Sequence, residues 1–197
     1  ACADPINDRR NTSRVRSSLA RVELRTGAVD AALHQAQQAL DLARLLDHAL
    51  FESDALVSLG LAQIAAGSLE QADAALAHAL VFQESIGHPT MCLEAYAGRA
   101  AIALARRDHA AACRSIQPIL KALAEHPLLP GRIDRGYVLW TAYQVLLASN
   151  PGQAIAFLHT ANQLLATLAT RIGADHVALA VWRAIPEHVR LAAAPVN

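Results

Sequence analysis

A pair of small residues, twelve positions apart, recurs along this chain at a step of about 40 residues. Apolar residues follow the second member of each pair after four and after seven positions. Spacings of four and seven lie on one face of an α-helix, and small residues at matching heights let two antiparallel helices approach closely. The recurrence therefore predicts a chain of helical hairpins. The pairs are Ala20/Ala32, Gly60/Ala72, Ala100/Ala112 and Ala142/Ala154.

Each predicted hairpin has a break between its two apolar stretches. The breaks stand at steps of 40, 40 and 43 residues, at Gly27, Gly67, Arg107 and Asn150. Asp108 is suited to begin a helix, and Asn150 followed by Pro151 is typical of a helix start. Ser68 with Gln71 three residues on forms a capping-box pattern, in which the serine hydroxyl bonds to the first turn. We therefore expect each second helix to start directly after its break.

The composition favours helices and excludes several functional classes. The chain is 54% hydrophobic but only 4% aromatic, and its formal net charge is zero. A neutral chain gives no reason to expect nucleic acid or an anionic membrane as a partner. Six arginines among the first 25 residues are a local exception. We interpret them as a solvated first helix or a contact to an upstream module, with nucleic-acid binding as the alternative.

The spacing of small and apolar residues resembles the motif of the tetratricopeptide repeat family. Gly60, Ala72, Leu76 and Ala79 match that motif best. The family period is about 34 residues, so each helix here would be longer by nearly a turn. The longer period is similar to the helical sensor arrays of large bacterial signal-transduction regulators, of the maltose-activator kind. The resemblance implies an all-α fold, a right-handed α-solenoid of about four hairpins with a C-terminal capping helix.

We divide the chain on this basis. Residues 1–8 are predicted to be a flexible N-terminal segment, 9–173 the repeat array, and 174–197 a capping helix with a tail. Within the last segment, Asp175–Ala184 is expected to be helical, with Trp182 packed on the fourth hairpin as a core residue. Because the sequence begins without Met, we expect a fragment of a longer chain or a processed chain. The four units are predicted at about 9–48, 49–88, 89–127 and 131–173.

The chain shows no pattern that supports catalysis or metal binding. Its three cysteines, Cys2, Cys92 and Cys113, form no CxxC pair, so we expect thiols in a reducing cytoplasm, the last two in the core. No two of the nine histidines stand three or four residues apart, as a helical metal pair requires. Five histidines directly follow an acid, mostly at predicted helix ends, where capping explains them better than catalysis. We therefore predict no catalytic residue, no metal and no cofactor.

The resemblance also places a candidate binding face. In the resembled family the first helix of each hairpin lines a concave face on which peptides bind. Carried over to this chain, the face is basic at one end and apolar in the middle. Tyr143 offers stacking area and a hydroxyl together, and packing between hairpins is its alternative role. The candidate residues are Arg14, Arg21, Arg25, Asp54, Leu61, Glu94, Leu139 and Tyr143.

The resemblance implies a protein–protein interaction scaffold or sensor segment of a larger bacterial regulatory protein. We expect a cytoplasmic monomer or weak dimer that binds a protein or peptide, including other modules of the same parent chain, but no nucleic acid directly and no membrane. The alternative is a small-molecule effector-binding sensor domain of a transcriptional regulator. An enzyme would require histidine and acidic side chains from different hairpins to converge.

Overall fold

The computed structural model describes residues 5–87, 90–129, 133–172, 180 and 182–195, with residues 5–8 and 86 described by their backbone alone. These residues form α-helices and no strand, and neighbouring helices pack against one another. The expectation of an all-α fold is therefore confirmed. None of the described helices has the length and apolar character needed to cross a membrane. The helices are α1 (Pro5–Thr26), α2 (Val29–Leu45), α3 (Ala49–Ala65), α4 (Leu69–Ile86), α5 (Leu93–Ala105), α6 (His109–Glu125), α7 (Arg135–Ser149), α8 (Pro151–Ile172) and α9 (Pro186–Ala193).

The chain forms two compact units, Ala1–Gly98 and Arg99–Asn197. In the first unit α1 packs against α2, α3 packs against α4, and α3 also packs against both α1 and α2. In the second unit α6 packs against α7, α7 against α8, and α9 against both α7 and α8. Each unit therefore has its own helical core.

Side-chain contacts show that α1 and α2 are antiparallel. The Ser13 hydroxyl of α1 donates to the carbonyl of Ala39 on α2 at 3.0 Å. Three residues later on α1, Arg16 donates to Gln35 at 2.8 Å and also to Gln38. The partners move backwards along α2 as the chain advances along α1, which is the register expected of a hairpin.

The recurring small residues of the sequence lie in the core. Every alanine of the four pairs is 0% exposed, and Gly60 is buried. A Cβ on Gly60 would lie 2.7 Å from Leu76 Cγ, and one on Gly98 would lie 2.6 Å from Leu76 Cδ1. Leu76 thus occupies space that side chains at both glycines would need. The positions four and seven beyond each pair are also at most 1% exposed: Ala36, Leu76, Ile116 and Leu158, then Ala39, Ala79, Ile119 and Ala161.

The helix breaks lie where the sequence predicts them. Gly27, Gly67 and Arg107 adopt φ values of 80°, 77° and 59°, in the left-handed region that ends a helix. Glycine adopts this conformation without steric cost, whereas arginine does so at a cost of about 1 kcal/mol. Asn150 differs, because it has a φ of −151° and both ends α7 and begins α8.

Two of the three predicted side-chain caps are confirmed. Asp108 Oδ1 accepts from the Ala111 amide at 2.8 Å, and Asn150 Oδ1 accepts from the Gln153 amide at 3.2 Å. The capping box at Ser68 is wrong, because Ser68 begins α4 without a side-chain cap hydrogen bond. Ser68 and Asp108 have similar backbone angles, with ψ of 64° and 79°.

The two ends of the chain differ from the predicted boundaries. Helix α1 begins at Pro5 and so includes residues 5–8, which the sequence assigned to the N-terminal segment. The predicted helix Asp175–Ala184 lies largely outside the described residues. The described C-terminal helix is α9, which begins with Pro186 in its first turn. Trp182 is half-buried rather than a core residue, and its ring lies 4.3 Å from that of His188.

Candidate interaction face

Arg21 contacts residues on α3 and α5, and all of these residues belong to the first unit. From α1, its Nη1 donates to both carboxylate oxygens of Glu94 on α5, at 3.0 and 3.1 Å. Its Nη2 donates to Asp54 Oδ1 on α3 at 2.9 Å, and its Nε donates to Ser58 Oγ at 3.3 Å. Three residues that the sequence placed on one face therefore meet in a single network, the Arg21 network.

The network depends on close contact between α1 and α3. Asp54 and Ser58 are one turn apart on α3, so both point towards α1. The Ser58 hydroxyl lies 3.0 Å from the Asp54 carbonyl and 3.4 Å from the Ser17 carbonyl on α1. Ser17 and Ser58 are 1% and 0% exposed. Their short side chains let the two helices approach within reach of Arg21.

Burial decides what the Arg21 network does. The Glu94 side chain is only 4% exposed, whereas those of Arg21 and Asp54 are 21% and 27% exposed. A buried carboxylate is costly unless a cation and hydrogen bonds compensate it, and the charge of Arg21 with two hydrogen bonds from its Nη1 does so here. Because its guanidinium donates to three side chains, Arg21 positions the helices and does not act as an open receptor for an anionic ligand.

The other candidates of the first unit flank this network. Arg14, Arg21 and Arg25 are seven and four residues apart, which places them along one side of α1. Arg14 and Arg25 are exposed. Leu61 on α3 is half-buried, and its Cδ2 lies 3.5 Å from where a Cβ on Gly98 would stand. The face of the first unit thus has exposed arginines beside a paired and partly buried centre.

Leu139 and Tyr143 lie in the core of the second unit. They are 0% and 2% exposed. The Tyr143 ring centroid is 5.6 Å from that of Trp140, with the planes tilted by 37°. This position fits the packing role that the sequence left as the alternative for Tyr143. Neither side chain is open to a ligand at the surface.

The buried thiol of Cys92, two residues before Glu94, is unreactive at neutral pH. Cys92 is 8% exposed and directly precedes α5. Burial, with a smaller contribution from the carboxylate of Glu84, raises the pKa of Cys92 to about 11. The thiol therefore stays protonated at neutral pH and is a poor nucleophile. Cys113 on α6 is half-buried, and Cys2 lies outside the described residues.

The second unit contains an arginine with an altered environment and a groove. Burial lowers the pKa of Arg135, an effect that the neighbouring Asp134 carboxylate opposes. The groove, of about 800 Å³, lies between the end of α8 and α9. Its walls include Leu165, Ala169 and Trp182. Among the described residues, no group of histidine, cysteine and acidic side chains is arranged to hold a metal ion.

Polar side chains in the groove wall hold α9 in place. Asn162 Nδ2 on α8 donates to the Leu191 carbonyl on α9 at 3.3 Å. His188 Nδ1 lies 2.9 Å from the Trp182 carbonyl. A Cβ on Gly136 of α7 would stand 3.0 Å from His188 Cδ2, so Gly136 permits the close approach of α9. The groove is mainly apolar, and Asn162 and His188 in its wall are hydrogen-bonded within the protein.

Several of these residues escaped prediction from the sequence. Ser17 and Ser58 carry no motif, and Gly98 and His188 gain their roles only from helix packing. One signal was present, because Asp54 and Glu94 stand 40 residues apart and so take the same position in successive first helices. Two acids at one repeat position indicate a common partner, which the structure identifies as Arg21.

No family model matches the sequence, and no curated protein matches it either. The likeness to tetratricopeptide repeats therefore remains a resemblance, based on the spacing of small and apolar residues.

Proposed function

We propose that this chain is a protein–protein interaction scaffold, a sensor segment of a larger bacterial regulatory protein in the cytoplasm. We further propose that its helices form a right-handed α-solenoid of tetratricopeptide-like hairpins. Stacked hairpins of this kind present an extended surface without catalytic chemistry. The proposal requires no cofactor and no active site.

The observation that carries the proposal is the Arg21 network. It joins α1, α3 and α5, the first helices of three successive predicted hairpins, although its residues are 33 and 73 positions apart in sequence. First helices held side by side are what an interaction face of this type needs. Two exposed arginines, Arg14 and Arg25, lie along the same side of α1. Such a surface favours a protein or peptide partner that carries carboxylates.

Site-specific photo-crosslinking in the native host tests this proposal. A photoreactive amino acid replaces Arg25 on the proposed face or, as a control, Gln37, which is exposed on α2. We expect a defined partner to be captured from position 25 and not from position 37. Arg25→Glu should then weaken binding of that purified partner by about tenfold, the equivalent of 1.4 kcal/mol, while Gln37→Glu leaves it unchanged. Equal capture from both positions, or equal affinity of both variants, would contradict the proposed face.

The groove of the second unit favours a second candidate, the binding of a small apolar effector. Its volume of about 800 Å³ and its walls of Leu165, Ala169 and Trp182 suit a ligand of drug-like size. Native mass spectrometry of the chain after incubation with a host extract would show such a ligand as a small adduct. Ala169→Trp should remove the adduct by filling the groove. An adduct that survives this change would place the ligand elsewhere.

A further inference from the structure

An apolar stripe is exposed on α1. Val15, Leu19 and Val22 are 63%, 40% and 55% exposed. Their spacing of four and three residues places them on one side of the helix. Isolated apolar residues are normal at a protein surface, but a contiguous row of three indicates a contact surface.

The residues of α3 at the same repeat positions as the α1 stripe are buried. The residues 40 positions further on are Ala55, Leu59 and Ala62, which are 0%, 8% and 0% exposed. Helix α3 packs against both helices of the α1–α2 hairpin. Ser58 lies among these three residues on α3 and its hydroxyl faces the Ser17 carbonyl on α1, so helix geometry turns this side of α3 towards the α1–α2 hairpin. The corresponding side of α1 is exposed. The chain itself thus shows what kind of structure covers this side: an antiparallel helical hairpin.

The charged residue beside the stripe on α1 is basic, whereas the residues at the same repeat position on α3 and α5 are acidic. Arg14 is exposed and stands 40 residues before Asp54 and 80 before Glu94. Both carboxylates pair with Arg21 of the α1–α2 hairpin. An arginine at this position on α1 favours a carboxylate on the structure that covers it.

We propose that the α1 stripe docks a helical hairpin that lies outside residues 1–197, one that carries a carboxylate where α1 carries Arg21. That carboxylate pairs with Arg14, and the apolar side of the hairpin covers Val15, Leu19 and Val22. A second copy of this chain does not fit. The positions that correspond to Arg21 in its later first helices are Leu61, Ala101 and Tyr143, and none is acidic. The inference rests on the proposed interaction role and specifies the chemistry of the partner.

A defined hairpin serves as the probe. The full chain is extended at its start by a second copy of residues 9–48, with Arg21→Glu in the added copy alone. Val22→Cys in the original chain reports on the stripe through its maleimide labelling rate, read peptide by peptide by mass spectrometry. We expect labelling at position 22 to slow by about tenfold, the equivalent of 1.4 kcal/mol. Val81→Cys on α4 is the control, because Val81 is 65% exposed. It should be labelled at the same rate in the original and the extended chain.

A charge swap tests the role of Arg14. When the added copy retains Arg21, that arginine faces Arg14 of the original chain and the two charges repel each other. Protection of position 22 from maleimide labelling should then fall by about twofold to fivefold, the range of an exposed ion pair. Arg14→Glu in the original chain should then restore protection against the unchanged added copy. If position 22 is protected equally by opposite and by like charges at these two positions, the hairpin needs no carboxylate and this part of the proposal is wrong.

The remaining outcomes are equally decisive. If the added hairpin contributes no helicity by circular dichroism, or leaves labelling at position 22 unchanged, the stripe does not dock a hairpin. If the unextended chain dimerises in analytical ultracentrifugation and Leu19→Asp abolishes the dimer, the occupant is a second copy and the proposal is overturned. Because the probe is defined, failure here leaves the crosslinking test at Arg25 standing.

Discussion

Three helices of the second unit begin differently from three helices of the first, whereas α9 of the second unit also begins without a side-chain cap bond. In the second unit, the side chain at the start of each of α6, α7 and α8 accepts a hydrogen bond from the amide three residues on. In the first unit, α2, α3 and α4 begin without a side-chain cap bond. The residues are Asp108, Asp134 and Asn150 in the second unit, and Ala28, His48 and Ser68 in the first.

The first unit has a different source of stability. Its Arg21 network joins residues that are far apart in sequence and includes the buried Glu94. A described ion pair of the second unit, Lys121–Glu125, spans a single helical turn at 3.9 Å between exposed side chains. The comparison teaches that helix position can be specified locally, by caps, or by contacts between helices. The two modes should respond differently to substitution.

The largest effect should follow loss of the Arg21 network. Arg21→Met leaves the carboxylate of Glu94 buried without its guanidinium partner, so the free energy of unfolding should fall by about 3 kcal/mol. Urea denaturation followed by circular dichroism measures this. The control is Arg44→Met, which removes the Arg44–Glu52 pair, where the arginine side chain is 51% exposed. It should cost less than about 1 kcal/mol. Equal losses would show that the network does not support the first unit.

The next effect concerns the close approach of α3 and α4. Gly60→Ala places a Cβ 2.7 Å from Leu76 Cγ. Overpacking of this kind outweighs the gain in helix propensity and should lower the free energy of unfolding by about 2 kcal/mol. Gly152→Ala is the matched control on α8, because its Cβ would meet nothing closer than Asn150 Oδ1 at 3.7 Å. A Gly60→Ala variant as stable as Gly152→Ala would refute this tight contact.

The Cys92 thiol should make the first unit sensitive to alkaline pH. The pKa of Cys92 is raised from 9.0 to about 11 by folding. Below pH 9 both states keep the proton, so the thiol adds no pH dependence. Between these values the unfolded state loses its proton first, which lowers the free energy of unfolding by roughly 1.4 kcal/mol at pH 10. Denaturation at pH 8 and pH 10 should show this loss in the original chain but not in Cys92→Ala. If the free energy of unfolding changes equally with pH in the original chain and in Cys92→Ala, the thiol does not cause the loss.

The smallest effect compares caps directly. Asp108→Ala removes a side-chain bond to the Ala111 amide and should cost about 1 kcal/mol. Ser68→Ala removes no cap bond and should change the free energy of unfolding by less than about 0.5 kcal/mol. The same urea titrations measure both variants. A larger loss from Ser68→Ala than from Asp108→Ala would reverse the contrast between the units.

Part of the fold and part of the site were predictable. Helix breaks at Gly67 and Arg107 and the core position of Leu76 follow from local spacing and turn chemistry. Arg21, Asp54 and Glu94 were predicted to share a face because the resemblance to tetratricopeptide repeats places first helices along one face. Their direct pairing was not predicted, since neither distance nor burial is visible in a spacing pattern.

The linear order of residues is enough to specify where helices start, stop and bury a side, because those properties depend on neighbours within about one or two turns. Helix packing alone determines that Glu94 is buried against Arg21, that Leu76 fills the space beside two glycines, and that Tyr143 lies in a core. Each of these outcomes depends on side chains from different helices arriving at one place. Whether such side chains meet depends on how closely whole helices approach and how they are rotated. The approach and rotation in turn depend on all the packing contacts of the helices together.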